Sequence, residues 1–160
     1  MDIRIGQGID FHQLTEDPSR PLMLGGVEIP GNLALKGHSD ADVILHAITD
    51  AILGALALGD LGEFFPDTDP AFKNADSARL LDTVLQEMQQ RGYRVQNVDV
   101  TLIGERPKVS PFRPQIKKKV ASLLAIREES TGIKATTTEK MGFLGRSEGL
   151  GCLAVILLVQ

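Results

Sequence analysis

The sequence predicts an α/β (α+β) fold: one domain built on a mixed sheet, with helices on one face and the other face packed inward against further copies of the chain. Segments of β-type bulk alternate with segments of helical periodicity along 160 residues, a length that suits a single domain. The last apolar stretch, CLAVILLV at 152–159, has no polar face, and strands of that kind need cover on both sides. Three helices can be read, enough to cover one face, so another copy of the chain is the simplest cover for the other.

The first strand is expected over about 2–12, where Ile3, Ile5, Ile9 and Phe11 supply bulk among small and polar residues. Side chains alternate along a strand, so Asp10 and His12 share one face while Ile9 and Phe11 hold the other, packed side. LMLGGVEI at 22–29 reads as a hairpin with Gly25-Gly26 as its two-residue turn. A helix is expected after Ser39, with Ser39 as N-cap and Asp42 three residues on in a capping-box arrangement. Its apolar stripe is Val43, Ile44, Ala47, Ile48, Ala51, Ile52 and Ala55. A second helix over about 77–91 carries Leu80, Leu81, Val84, Leu85 and Met88 on one face and stops at Gly92. YRVQNVDVTLI reads as a strand, 112–125 as a third helix, and 133–138 and 151–159 as the last strands. Two segments resist such a reading: the long connection 59–76, and the glycine-rich TTTEKMGFLGRSEGLG from 136.

Composition narrows the function. A hydrophobic fraction of 42% with 24% charged residues is that of an ordinary soluble protein. The net charge of −4 argues against nucleic acid as a partner, and means that a polyanionic ligand would need local cations. The N-terminus lacks a basic segment followed by an apolar run, so no signal peptide is expected. The longest apolar run, eight residues, is far from the roughly 20 of a membrane helix, so no membrane partner is expected. The single cysteine, Cys152, excludes an internal disulfide, suits a reducing compartment and reads as core filler. A cytoplasmic location is expected, or the plastid stroma if a transit peptide was removed.

Several residue groups could carry chemistry. Asp42, His46 and Asp50, spaced four apart, share one helix face away from the Val43/Ala47 stripe. Asp10, His12 and His46 together would offer two imidazoles and a carboxylate with a fourth position open, a composition known for catalytic zinc. Asp42 or Asp50 could then orient the His46 ring; the plain alternative is a surface aspartate and two unrelated histidines. His38-Ser39 precedes a helix start, where backbone N–H groups bind anions, or where Ser39 simply caps. TTTE at 136–139, followed by Lys140, offers hydroxyls for phosphate oxygens and Glu139 for a hard divalent ion, or is an exposed Thr-rich edge. ERPKVSP at 105–111 could present main-chain groups to a base or phosphate, or be a surface turn. No phosphate-binding G-x-x-x-x-G-K-[ST] loop occurs, and Gly6-Gln7-Gly8 lacks the third glycine of a dinucleotide fingerprint. DTDPAF begins like a calcium loop, but Phe72 stands at the required glycine and Ala78 at the required glutamate.

The pieces GQGIDFH at 6–12, GHSDADVILHAITDAILGA at 37–55, GDLGEFFPDTDP at 59–70, ERPKVSP at 105–111 and KATTTEKMGFLGRSEG at 134–149 run nearly end to end. In that order they resemble one family closely: the 2-C-methyl-D-erythritol 2,4-cyclodiphosphate synthases of the non-mevalonate isoprenoid pathway. The departures are Gln7, where that family varies, and Ser147, where glycine is common.

The resemblance implies a homotrimer of α/β subunits with active sites between neighbours. It implies zinc on Asp10, His12 and His46, and magnesium or manganese near Glu139. The implied substrate is 4-diphosphocytidyl-2-C-methyl-D-erythritol 2-phosphate, whose 2-phosphate attacks the β-phosphorus to release CMP. His38 and Thr137 would hydrogen-bond the transition state. Ser39, Asp60, Leu61 and Gly62 would line the methylerythritol pocket, and Phe65, Pro66, Asp67, Thr68 and Asp69 would close over the substrate. Gly104, Glu105, Arg106, Pro107, Lys108, Val109 and Ser110, with Thr136 and Thr138, would receive the cytidine diphosphate. Phe143 and Arg146 would lie near the three-fold axis, where an isoprenoid diphosphate can sit in a central cavity. Because the attacking group is already an anion, such a reaction needs positioning and charge neutralisation rather than a strong base. Two other readings stand beside this one: a zinc-dependent phosphohydrolase, and a non-catalytic trimer that binds isoprenoid diphosphate.

Overall fold

The computed structural model describes residues 2–66 and 75–160. It is mixed α/β, as the sequence predicts. Five strands form one sheet in the order β4-β1-β7-β5-β6: β1 (Ile3–Glu16), β4 (Leu33–Leu35), β5 (Arg94–Ile103), β6 (Thr131–Thr136) and β7 (Gly149–Val159). β5 and β6 run parallel, and the other pairings are antiparallel. β2 (Leu22–Leu24) and β3 (Val27–Ile29) form a separate hairpin. Gly25 and Gly26 turn it with φ of +62° and +75°, the left-handed values a tight hairpin turn demands. The helices are α1 (Val43–Leu56), α2 (Leu61–Phe64), α3 (Ser77–Gln90), α4 (Arg113–Leu123) and α5 (Gly142–Gly145).

α1 lies on β1 and β7, and α3 packs against α1. The approach of α1 to β1 is unusually close because β1 presents glycine there. A Cβ on Gly6 would stand 1.8 Å from the Ala51 carbonyl oxygen, and one on Gly8 would stand 1.9 Å from that of Ala47. Ala47 and Ala51 answer with the smallest side chains a helix can offer, and both are fully buried. Strand backbone and helix backbone therefore touch directly. Along this row Asp10 and His12 follow Gly6 and Gly8, on the face the helix covers.

The odd residues of β1 face the other way. Ile3, Ile5, Ile9 and Phe11 are 49–71% exposed, and Val155 of β7 lies among them, paired to Gln7. The expectation that Ile9 and Phe11 hold the packed side is thus corrected: within one chain the packed side is that of Gly8, Asp10 and Cys152. β7 does bury its even residues under the helices and turn Leu153, Val155 and Leu157 outward. Cys152 is buried as expected.

Two local readings also change. The cap of α1 is Asp42, not Ser39, because Ala41 takes a left-handed φ of +57° and breaks the helical path between them. The Asp42 carboxylate accepts the Ile44 and Leu45 N–H groups, each at 3.1 Å, and those of Gly25 and Gly26 at 2.8 and 2.7 Å. One buried side chain thereby ties the hairpin to the start of α1. Burial pushes its pKa up, against the pull of those N–H donors. The connection 59–76 also holds structure of its own: Asp60 caps α2, accepting from the Glu63 N–H at 2.8 Å.

Candidate active site

Asp10 and His12 come from β1, and His46 from the first turn of α1. The glycine row sets their separation. Asp10 Oδ2 lies 2.9 Å from His12 Nε2 and 3.1 Å from His46 Nδ1, and the two ring nitrogens are 3.0 Å apart. His12 donates its Nδ1–H to the Lys36 carbonyl at 2.8 Å, since a carbonyl only accepts. A neutral His12 therefore turns a bare Nε2 lone pair toward Asp10 and His46. The far nitrogen of His46, Nε2, meets the hydroxyls of Ser77 at 2.9 Å and Ser39 at 3.1 Å.

Three donor atoms of a carboxylate and two imidazoles thus converge. Without a cation or proton among them their lone pairs repel. The three can hold a divalent metal. A tetrahedral site with donor distances of about 2.0–2.2 Å has edges of about 3.3–3.6 Å, and the triangle seen here is close to one such face. The electrostatics point the same way. Burial raises the Asp10 carboxyl, but the His12 and His46 rings beside it outweigh that and hold Asp10 far below the usual carboxylate range. Burial lowers His12, but the bond to Asp10 and the charge of Asp10 lift it above its ordinary value. Among the described residues this is the one cluster of three such groups.

Neither of the two aspartates expected to orient His46 touches its ring. Asp42 is spent on the hairpin turn and the α1 cap, and Asp50 accepts the Leu61 N–H at 2.6 Å. Burial, with the nearby charges of Asp60 and Asp10, raises the Asp50 carboxyl. The true partners, Ser39 and Ser77, sit 7 and 31 positions away in sequence. Only their meeting in the fold reveals them.

The triad opens on a cavity of about 380 Å³. His38, Ser39, Leu61, Gly62 and Phe65 line it beside Asp10, His12 and His46. Asp60 stands behind as the cap of α2, and Pro66 is exposed at the end of the described stretch. Asp67, Thr68 and Asp69 lie outside the described residues. A second cavity, of about 300 Å³, gathers Gly104, Glu105, Pro107, Lys108, Val109 and Ser110 with Thr136 and Thr137. Glu105 joins its two loops, accepting the N–H groups of Thr138 and Lys140 at 3.2 Å each. Arg106 turns instead to Glu16 at 3.4 Å. Glu139 accepts the Thr137 hydroxyl at 2.8 Å and is not in the metal-competent cluster of the same chain. Phe143 meets Phe11 edge-on at 6.0 Å, and Arg146 pairs with Glu148 at 2.6 Å.

Residues 3–159 match the model of the YgbB family. A 2-C-methyl-D-erythritol 2,4-cyclodiphosphate synthase from Leptospira borgpetersenii is 59% identical over 157 residues, 98% of both chains. The bifunctional IspDF from Campylobacter jejuni superposes with a TM-score of 0.92 at 43% identity, over 98% of this chain and 42% of that larger one. IspF from Plasmodium falciparum, solved as a CDP complex, gives 0.85 at 39% identity, over 98% of this chain and 96% of that one. The chain belongs to the YgbB family, that of the 2-C-methyl-D-erythritol 2,4-cyclodiphosphate synthases.

Proposed function

We propose that this chain converts 4-diphosphocytidyl-2-C-methyl-D-erythritol 2-phosphate to 2-C-methyl-D-erythritol 2,4-cyclodiphosphate and CMP. The observation that carries the reading is the convergence of Asp10, His12 and His46 on one point of a cavity of about 380 Å³. An oxygen of the 2-phosphate forms a bond to the β-phosphorus, and the bond from that phosphorus to the oxygen bridging to the α-phosphate breaks. Zinc at the triad would polarise the β-phosphate, and magnesium or manganese at Glu139 would neutralise charge on the departing CMP. His38 and Thr137 hydrogen-bond the reacting phosphates. Ser39, Leu61 and Gly62, backed by Asp60, hold the methylerythritol portion, with Phe65 beside it. The loops at 104–110 and 136–139 take the cytidine diphosphate, with Lys108 near phosphate.

The two cavities belong to one reaction if they come from neighbouring subunits. We read the assembly as a homotrimer, with the exposed apolar face of β1 and β7 as its interior. The exposed Ile3, Ile5, Ile9, Phe11 and Val155 support that reading, since such a patch on one sheet asks for cover. Phe143 and Arg146 then sit by the central cavity, where an isoprenoid diphosphate fits. One core cluster running through helices and sheet supports a single domain over 1–160. No helix among the described residues is long and apolar enough to cross a membrane. The free, buried Cys152 suits a reducing compartment, and on that ground we place the enzyme in the cytoplasm.

Phosphorus NMR of the reaction mixture tests the activity. The expected products are a cyclic diphosphate and CMP in equal amounts. A linear monoester as main product would replace this reading with a phosphohydrolase. Light scattering on the purified protein tests the trimer, and a monomer would refute it.

A further inference from the structure

We infer that Ser77 and Asp40 are positioning residues for the metal centre, holding the His46 ring with its proton on Nε2 so that Nδ1 turns a lone pair toward Asp10 and His12. This rests on the metal reading given above. Ser77 opens α3 and is 1% exposed. Its Oγ lies 2.9 Å from His46 Nε2, and its hydroxyl donates to Asp40 Oδ1. A hydroxyl has a single proton. Committed to a carboxylate, the stronger acceptor, that proton leaves Ser77 only a lone pair to offer the ring. Nε2 must then be the donor, which frees Nδ1.

Ser39 does not decide the matter. Its Oγ lies 3.1 Å from Nε2 and accepts the Ala41 N–H at 3.1 Å, but no carboxylate fixes its own proton. Asp40 is itself well held. Its carboxylate also accepts the N–H groups of Ser77 and Asp42, each at 3.1 Å, and its own N–H donates to the Ala75 carbonyl at 3.2 Å. The relay Asp40–Ser77–His46 therefore locks the start of α3 and the 36–42 loop onto the ring. It is the role that a carboxylate or carbonyl plays behind most metal-binding histidines, passed here through a hydroxyl.

The test is zinc affinity of the purified protein by chelator competition, with thermal unfolding followed in parallel. Ser77→Ala and Asp40→Asn are each expected to bind zinc about 10- to 100-fold more weakly. In Asp40→Asn the amide can donate to Ser77, whose proton then turns to Nε2 and favours the tautomer that cannot bind. Should Ser77→Ala not fold, Asp40→Asn decides alone. Asp76→Ala is the control: it removes the 2.8 Å cap on the Ala78 N–H without touching His46, and should keep wild-type affinity within about threefold. Unchanged affinity in Ser77→Ala or Asp40→Asn overturns the inference, and so does an equal loss in Asp76→Ala. A wild-type protein that binds no zinc overturns the metal reading, and the inference with it.

Discussion

Gly8→Ala tests whether the glycine row sets the site. The new Cβ would stand 1.9 Å from the Ala47 carbonyl oxygen and 2.8 Å from the Ala51 nitrogen. Ordinary contact begins near 3.4 Å, so the helix must retreat by about 1.5 Å. Both obstacles are backbone, and no side chain can swing aside. Alanine does gain about 0.5–1 kcal/mol over glycine within a strand. Overpacking a tight contact costs about 1–3 kcal/mol and occasionally more, so a net loss of about 1–2 kcal/mol is expected. The retreat falls on the turn that carries His46, one residue before Ala47. Metal ligands tolerate only about 0.2 Å of displacement, so zinc affinity should fall more than tenfold. Gly6→Ala meets Ala51, five residues beyond His46, and should cost similar stability with a smaller effect on metal. Urea unfolding of the metal-free protein and chelator competition measure the two quantities. Wild-type stability together with wild-type zinc binding in Gly8→Ala would refute the reasoning.

Gly54→Ala on the same helix should do the opposite: its nearest neighbour, the Gln7 carbonyl oxygen, is 3.7 Å away, and the helix gains about 0.8–1 kcal/mol, read as a higher urea midpoint with unchanged slope. Cys152 is buried and its thiol pKa is pushed up by burial, so it should resist a thiol-specific reagent in the native protein and react fully once unfolded; rapid native labelling would contradict its place in the core. His12 has a folded-state pKa above its unfolded one, so its protonation stabilises the metal-free fold below the unfolded value, and that contribution disappears as pH rises through the folded one. Metal needs the deprotonated ring, so zinc affinity should drop as pH falls through that raised value, with proton release on binding; a flat affinity from pH 8 to about 5.5 would exclude His12 as a ligand.

The long periodic elements were legible in the sequence. α3 runs Ser77–Gln90 with the expected buried stripe, and β5 alternates as read. β4 was not, because three residues carry no period, and it exists only by pairing with the end of β1. The start of α1 was misread because Ser39 and Asp42 are both good caps. What chose between them is Ala41 in the left-handed region and a hairpin turn 16 positions upstream of Asp42 that needs a carboxylate. Asp10 and His12 could be paired from alternation alone. Their distance to His46 could not, since it depends on how near a helix can come to a strand. The glycines that allow it were in view, as was the alanine stripe, but only their juxtaposition gives them meaning. Ser77 and Asp40 left no local signal at all.

One strand carries both halves of the proposed function. The even residues of β1 run Gly6, Gly8, Asp10, His12 under the helix, and the odd ones run Ile3, Ile5, Ile9, Phe11 over the exposed face. The pleat permits no compromise between them: a register slip of one residue against β7 would put the metal ligands outside and the isoleucines against the helix backbone. The register, Ile3 with Val159 through Gln13 with Gly149, is thus fixed from both sides. In the proposed trimer, assembly would feed back on the site. Covering Ile9 and Phe11 buries the back of the same short stretch whose front holds Asp10 and His12. Replacing Ile5, the most exposed of the set, by Lys should therefore prevent assembly. It should also lower turnover far more than zinc binding, because the triad lies within one chain while, on the two-subunit reading, the two cavities come from neighbouring chains. Light scattering and zinc stoichiometry on the same sample measure this, and a fully active monomer would sink the two-subunit reading.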